Sequence, residues 1–288
     1  MDIFALIAAF GGGMLGAILG GLPAFILIGV FATIGGLMGM AGITEHAIGT
    51  FAFGSFLGPH IAFASGVAAA AYAANKRKVL ENGKDILTPL NGTSDYSVLC
   101  VGGIFGVFGF LLQHLYGNIL NLSTDIPALA VFTMAIVTRF AFGNTGLFGK
   151  YQGTEPRVWF SKGQKMLYNI VLGGGIGIVI SGVAISLINS GASAQTLAMY
   201  PIVCFGFSAI HLIFVQMGFP SPSTHHITLT SASAAVLSGN IFVGIITAIL
   251  CTLLGDLASN VFNEHGDTHF DPPAATIFIA MFVINFLF

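Results

Sequence analysis

The chain has 288 residues, 55% of them hydrophobic and 7% charged, with a formal net charge of −2 and a mean hydropathy of +0.91. Soluble domains carry about a quarter charged residues, so this composition excludes an ordinary soluble domain, and no basic patch is present to bind nucleic acid. Continuous apolar runs recur along the whole chain, which argues for helices spanning a bilayer and against a β-barrel, whose strands alternate over short segments.

In chain order, apolar runs predict spans near 3–19, 22–42, 47–74, 98–119, 126–143, 166–188, 196–217, 224–238, 240–262 and 272–288. No basic n-region precedes Ile3, so a cleaved signal peptide is not expected. Cys100, Cys204 and Cys251 all fall in apolar runs and read as small buried residues, not as a disulfide or zinc framework. The 39 glycines suit helices packed closely through small residues. The expected fold is all-α and polytopic. The polar stretch 144–165 separates a first five-helix repeat, 1–143, from a second, 166–288.

The halves resemble each other. HIAFASGVAAAAY from His60 aligns with HITLTSASAAVLS from His226. LLQHLYGNILN at 111–121 aligns with LLGDLASNVFN at 253–263, and DIPALAVF at 125–132 with DPPAATIF at 271–278. The triple glycines at 11–13 and 173–175 align, as do His46 and His211. An odd number of spans per half turns the second copy upside down. The nine basic residues lie in the third loop, at the end of the fifth span or in the linker, which puts all of these on the cytoplasmic side and both termini outside. Inverted repeats of this kind place a transport site near mid-membrane at the repeat interface.

Two spans are predicted to break. Thr224 to Leu237 covers about 21 Å at 1.5 Å per residue, less than a bilayer core of about 30 Å. Pro220 and Pro222 stop any incoming helix, and Ser223 or Thr224 can cap the next. In the first half, Gly58-Pro59-His60 interrupts the long run 47–74. The expected substrate site therefore comprises His60, Ser223, Thr224, His225 and His226, with Glu45, His46 and His211 nearby. Half-helix N-termini favour a solute with negative or acceptor groups. The histidines could instead hold a cation or a coupling proton.

His114 and Asp256 occupy matched places in the fourth and ninth spans and read either as polar groups facing a cavity or as structural hydrogen-bonding groups. The segment NEHGDTHFDPP offers His265, Asp267, His269 and Asp271 as candidate divalent-metal ligands, without a metal motif to support them. Asp125 and Asp271, each before a proline, are expected to cap the fifth and tenth spans. Arg139 ends the fifth span near the cytoplasmic face and reads as a topology anchor, with a hold on an anionic substrate as the alternative. Gly149-Lys150 lacks the earlier glycine and the following Ser or Thr of a phosphate loop.

The function expected is that of a membrane transporter or permease for a small solute, not an enzyme, with no resident cofactor. A passive facilitator, a divalent-metal transporter and an intramembrane metalloenzyme are the alternatives. Expected partners are the bilayer and a small-molecule or ion substrate, and a homo-oligomer is compatible with this reading. Ten spans in inverted five-helix halves resemble urea-transporter-like and bile-acid-transporter-like architectures in plan. None of their signature motifs is present, so the likeness carries no substrate and no site residue.

Overall fold

Helices form wherever the apolar runs are long, and they stop where glycine, proline or a polar cap intervenes. The computed structural model describes residues 2–44 and 46–288, and every regular element among them is helical. Asp2 caps α1 (Ile3–Leu19) by accepting from the Phe4 N–H. Gly20, at φ +88°, turns the chain straight into α2 (Gly21–Met40).

The third segment is interrupted. A π-helical turn, Ile48–Ala52, ends in irregular chain, and helix resumes only at Pro59. Pro59–Phe63 is π-helical, runs into α3 (Ala64–Tyr72) and ends in a further π turn, Ala73–Arg77. Asp95 caps α4 (Tyr96–His114), which ends in the π turn Leu115–Ile119. Asp125 caps α5 (Ile126–Phe142).

The long α6 (Gly163–Asn189) is followed by α7 (Ala194–Ile210), the single turn α8 (Ile213–Gln216) and α9 (His225–Ser238). The chain closes with α10 (Ile241–Ala258), its π turn Ser259–Asn263, and α11 (Pro272–Leu287).

Among the described residues, five helical stretches are long and apolar enough to cross a membrane: Gly21–Met40, Tyr96–Ile119, Gly163–Asn189, Ala194–Gln216 and Ile241–Asn263. Three shorter apolar helices, α1, α5 and α11, have 17, 17 and 16 residues. Large apolar side chains such as Leu167, Val171, Ile178 and Val179 on α6 face outward. A helix that is apolar on its exposed face suits a hydrocarbon surrounding.

Packing relies on small residues. α1 lies on α4 and on the helix from Pro59, while α6 lies on α10 and α9. At the first seam a Cβ on Gly13 would overlap the Gly102 carbonyl, one on Gly16 the Ala62 carbonyl, and one on Gly106 the Ala9 carbonyl. The triple glycines divide by role. Gly12, Gly13 and Gly173 are pressed against neighbouring chain, whereas Gly11 and Gly175 face open space. α2 crosses α7 where Gly29 meets Gly206 and Ala209. α5 and α11 pack on each other and on the short helices α3 and α9.

Candidate functional site: two cavities at the broken helices

The break before α9 leaves a helix start inside the protein. Pro220 and Pro222 keep residues 219–224 out of helix. Thr224 then stands at the N-cap position with φ −125° and ψ −6°, and its side chain makes no capping bond. The hydroxyl cap expected from Ser223 or Thr224 is therefore absent, because Thr224 has left the extended backbone that a capping hydroxyl needs. In the first half, Gly58 and Pro59 start the helix, again without a side-chain cap.

A cavity of about 220 Å³ lies against both helix starts. Pro59 and His225 line it, as do Phe63 and Leu229, one turn further along their helices. The first two turns of α5 and α11 contribute Asp125 with Ala128 and Val131, and Asp271 with Ala274 and Ile277. Asp125 Oδ1 accepts from the Ala128 N–H at 2.9 Å, and Asp271 Oδ2 accepts from the Ala274 N–H at 2.9 Å. The rest of the wall is aromatic. Phe25 sits 5.2 Å from Phe63 and 5.7 Å from Phe205 between ring centroids, and Phe53 lies 5.6 Å from Phe205.

A second cavity, about 350 Å³, adjoins the first. Phe25, Phe63, His225 and Asp271 line both, so they form the partition between them. The Phe25 ring is 4.8 Å from the His225 ring. The second cavity holds more polar groups: Asn169 from α6, His226, Asp256 from α10, and His269. Nδ1 of His225, Nδ1 of His226, Nε2 of His269 and Nδ2 of Asn169 have no hydrogen-bond partner. Buried polar atoms are normally paired, and these four belong to side chains that line this one cavity, which gives it a polar side. Asp256 is satisfied: it accepts from the Ser161 N–H and hydroxyl and from Asn260, with the Lys165 ammonium at 3.4 Å.

The predicted site residues separate into groups. His225 stands at the partition, and His226 and Ser223 line the second cavity only. Thr224 is buried and gives its carbonyl to α9. His60 is buried with Nδ1 unpartnered, but it turns toward Gly58 and lines neither cavity. His211 Nε2 lies 2.5 Å from the Ser221 hydroxyl, where it braces the irregular chain before α9. His46 is exposed and lines neither cavity. Glu45 lies outside the described residues.

The four candidate metal ligands do not converge on one point. His265 packs on Tyr151 and lines a cleft of about 770 Å³ beneath the linker. Asp267 accepts from the Asn144 N–H at 2.6 Å and the Thr145 hydroxyl at 2.7 Å. His269 Nε2 is 3.7 Å from Asp271 Oδ1. Among the described residues no three His, Cys, Asp or Glu side chains come together as a metal ligand set. The segment is shaped around Arg139 instead. That guanidinium, 1% exposed, donates to the Thr268 hydroxyl and carbonyl at 2.6 and 2.8 Å and to the Phe262 carbonyl at 3.0 Å. It also donates to the carbonyls of Gly146 and Leu147 at 3.3 and 3.2 Å. Arg139 is thus a buried clasp, a role that its position in the sequence did not announce. A Cβ on Gly266 would strike it. Burial alone would raise the Asp267 pKa, but its bonds from Thr145 and Asn144 and the nearby Arg139 charge outweigh that and hold it below the ordinary value.

Sequence reasoning missed Phe25, Phe53, Phe63 and Phe205, because a chain with 27 phenylalanines gives no reason to choose four. It named Asp125 and Asp271 as caps without foreseeing that both also face one cavity. Their matched Asp-x-Pro and Asp-Pro-Pro contexts were the available signal.

Nothing among curated proteins or solved structures matches the chain. One family model does, over residues 1–156 and 175–288, and it is described as a family of unknown function, DUF7973. That match takes in both helix breaks, both capping aspartates and every residue of the partition, and the chain belongs to this family.

Proposed function

We propose that this protein is a multi-pass permease of the cytoplasmic membrane that carries a small solute through the two adjoining cavities. One observation carries the proposal: the smaller cavity is lined by residues that align between the halves of the sequence. Pro59 pairs with His225, Phe63 with Leu229, Asp125 with Asp271, Ala128 with Ala274 and Val131 with Ile277. A cavity built from equivalent positions of two copies suits a transport site on a pseudo-two-fold axis.

In this reading α1, α2, the helix from Pro59, α4 and α5 form one half. α6, α7, α9, α10 and α11 form the other, inserted upside down. Residues 144–165 are the cytoplasmic linker and both termini lie outside. Several features support it. Asp125 and Asp271 have nearly the same backbone, φ −75° and ψ 103° against φ −79° and ψ 104°. α4 and α10 both end in π turns, and α1 packs on α4 as α6 packs on α10. The partition of Phe25, Phe63, His225 and Asp271 would let solute occupy one cavity at a time, which suits a carrier more than an open channel. No catalytic residue and no resident metal is assigned.

The test is reconstitution into liposomes followed by electrical recording of concentration jumps with methylammonium, tetramethylammonium, sodium, chloride and formate, and light-scattering measurement of urea entry. Saturable flux of one solute supports the permease. Flux that rises linearly without saturation, or none across the set, overturns it.

A further inference from the structure

We infer that the smaller cavity binds a small organic ammonium ion, held between the carboxylates of Asp125 and Asp271 and the rings of Phe25, Phe53, Phe63 and Phe205. The inference rests on the permease reading only in calling that ion the cargo; the binding site stands on its own geometry.

Charge comes first. Two carboxylates line a cavity of about 220 Å³, and none of the nine lysines and arginines lines it or the cavity beside it. Each carboxylate spends one oxygen on a helix N–H. The second oxygen of Asp271 accepts no hydrogen bond, the nearest recorded group being His269 Nε2 at 3.7 Å, and that of Asp125 has no hydrogen-bond donor among the described residues. A helix N-terminus favours the charged form of its capping group, while an apolar wall disfavours an uncompensated charge. A bound cation resolves that conflict.

The walls then choose among cations. Small inorganic ions need a shell of several oxygen ligands, whereas this cavity presents four phenylalanine rings and aliphatic side chains around its two carboxylates. Aromatic rings attract cations through their faces, and sets of them recognise alkylated ammonium groups. The His225 ring adds a polar edge to the wall: it is 4% exposed, lines both cavities, and its Nδ1 has no hydrogen-bond partner within the protein. The volume lies below the roughly 300–1,000 Å³ of drug-sized sites, which limits the ligand to a few carbons around one nitrogen. The uncapped helix starts at Pro59 and Thr224 had suggested an anion, but the two carboxylates facing the same cavity oppose one, so formate is the probe that sets the two readings against each other.

The experiment is thermal unfolding of the purified full chain with tetramethylammonium chloride, methylammonium chloride, sodium chloride or sodium formate at equal ionic strength. The two ammonium salts should raise the midpoint in a saturable way, and the sodium salts should not. The D125N/D271N double variant keeps both caps, since Asn caps as well as Asp, and should lose the shift. F25L should weaken apparent binding about three- to thirty-fold. Stabilisation by formate, stabilisation by sodium equal to that by ammonium, or a shift unchanged in both the double variant and F25L overturns the inference. Should the double variant fail to fold, the comparison of salts on the native chain and F25L decides. Saturable flux of another solute without ammonium binding would sink this inference and leave the permease. Ammonium binding without flux of any solute would do the reverse.

Discussion

Asp125 and Asp271 make the same bond in two helices far apart in sequence: each accepts, at 2.9 Å, from the N–H of the alanine three residues on, and each faces the same cavity. Their first task is structural. Replacing either by Ala should destabilise the fold by about 0.5–2 kcal/mol, whereas Asn should cost far less. Chemical or thermal unfolding of the four single variants in one detergent checks this. Equal losses for Ala and Asn would mean that the charge, not the cap, supports the helix.

Arg139 should be among the least replaceable side chains. It donates to four residues from two loops, and removing it strands carbonyls where little water reaches. R139A is expected to cost about 1–3 kcal/mol for each buried acceptor it leaves unpaired. R139K should be nearly as harmful, because an ammonium cannot reproduce the planar fork. G266A, which drives a methyl group into the guanidinium, should resemble both. Limited proteolysis reads the effect, with cleavage near residues 143–150 appearing first.

The surface pair Arg77–Asp95, 2.6 Å apart, gives a pH signature. Bonds from Ser97 and then Arg77 lower the Asp95 pKa to about 2, below the unfolded value of about 3.9. A depressed carboxylate stabilises the fold fully above its unfolded pKa, and that contribution fades as pH falls through the folded value. D95N should therefore flatten the melting profile between about pH 4 and pH 2. Asp267 shifts in the same direction, so D267N should also remove acid sensitivity, this time together with contact between residues 144–145 and the turn. A profile unchanged in both variants would contradict the assignment.

Phe25 and Phe63 stand in the partition with ring centroids 5.2 Å apart. Truncating either to Ala should join the two cavities. The expected result is a leak of tetramethylammonium through reconstituted liposomes that no longer saturates, at a stability cost of about 3–5 kcal/mol. A variant that stays folded and tight would show that the rings do not separate the cavities.

The proposed inversion places the loop holding Asn82 inside and the turn holding Asn240 outside. Single cysteines at these positions, in a chain whose native cysteines are replaced, should react with an impermeant reagent from opposite sides of a sealed vesicle. Reaction from one side would rule out the inverted arrangement.

Much of the helical pattern was legible because its signals are local. Pro59, Pro220 and Pro222 mark the breaks, and Asp125 and Asp271 mark helix starts, each by a property of a few adjacent residues. The site was legible in part. The sequence pointed to the adjacent histidines, but only the fold distinguishes His225 at the partition from His60 turned toward Gly58. The clasp formed by Arg139 was not legible, for a physical reason. Its partners include the backbone carbonyls of Gly146, Leu147, Phe262 and Thr268, and every residue has a carbonyl, so nothing in the sequence announces which ones converge. His265, Asp267 and His269 looked like ligands because they are crowded in sequence, yet the turn that crowds them points them apart.

The glycine seam of α1 and α4 has a thermodynamic consequence. At Gly13, Gly102 and Gly106 main chain rests on main chain, so there are no rotamers to freeze as the helices meet. In a bilayer the parted helices would face hydrocarbon, so their separation exposes little apolar surface to water, the source of a positive heat-capacity change. The association of these two helices should therefore vary with temperature along a nearly straight line, without the dome that governs cores sealed against water.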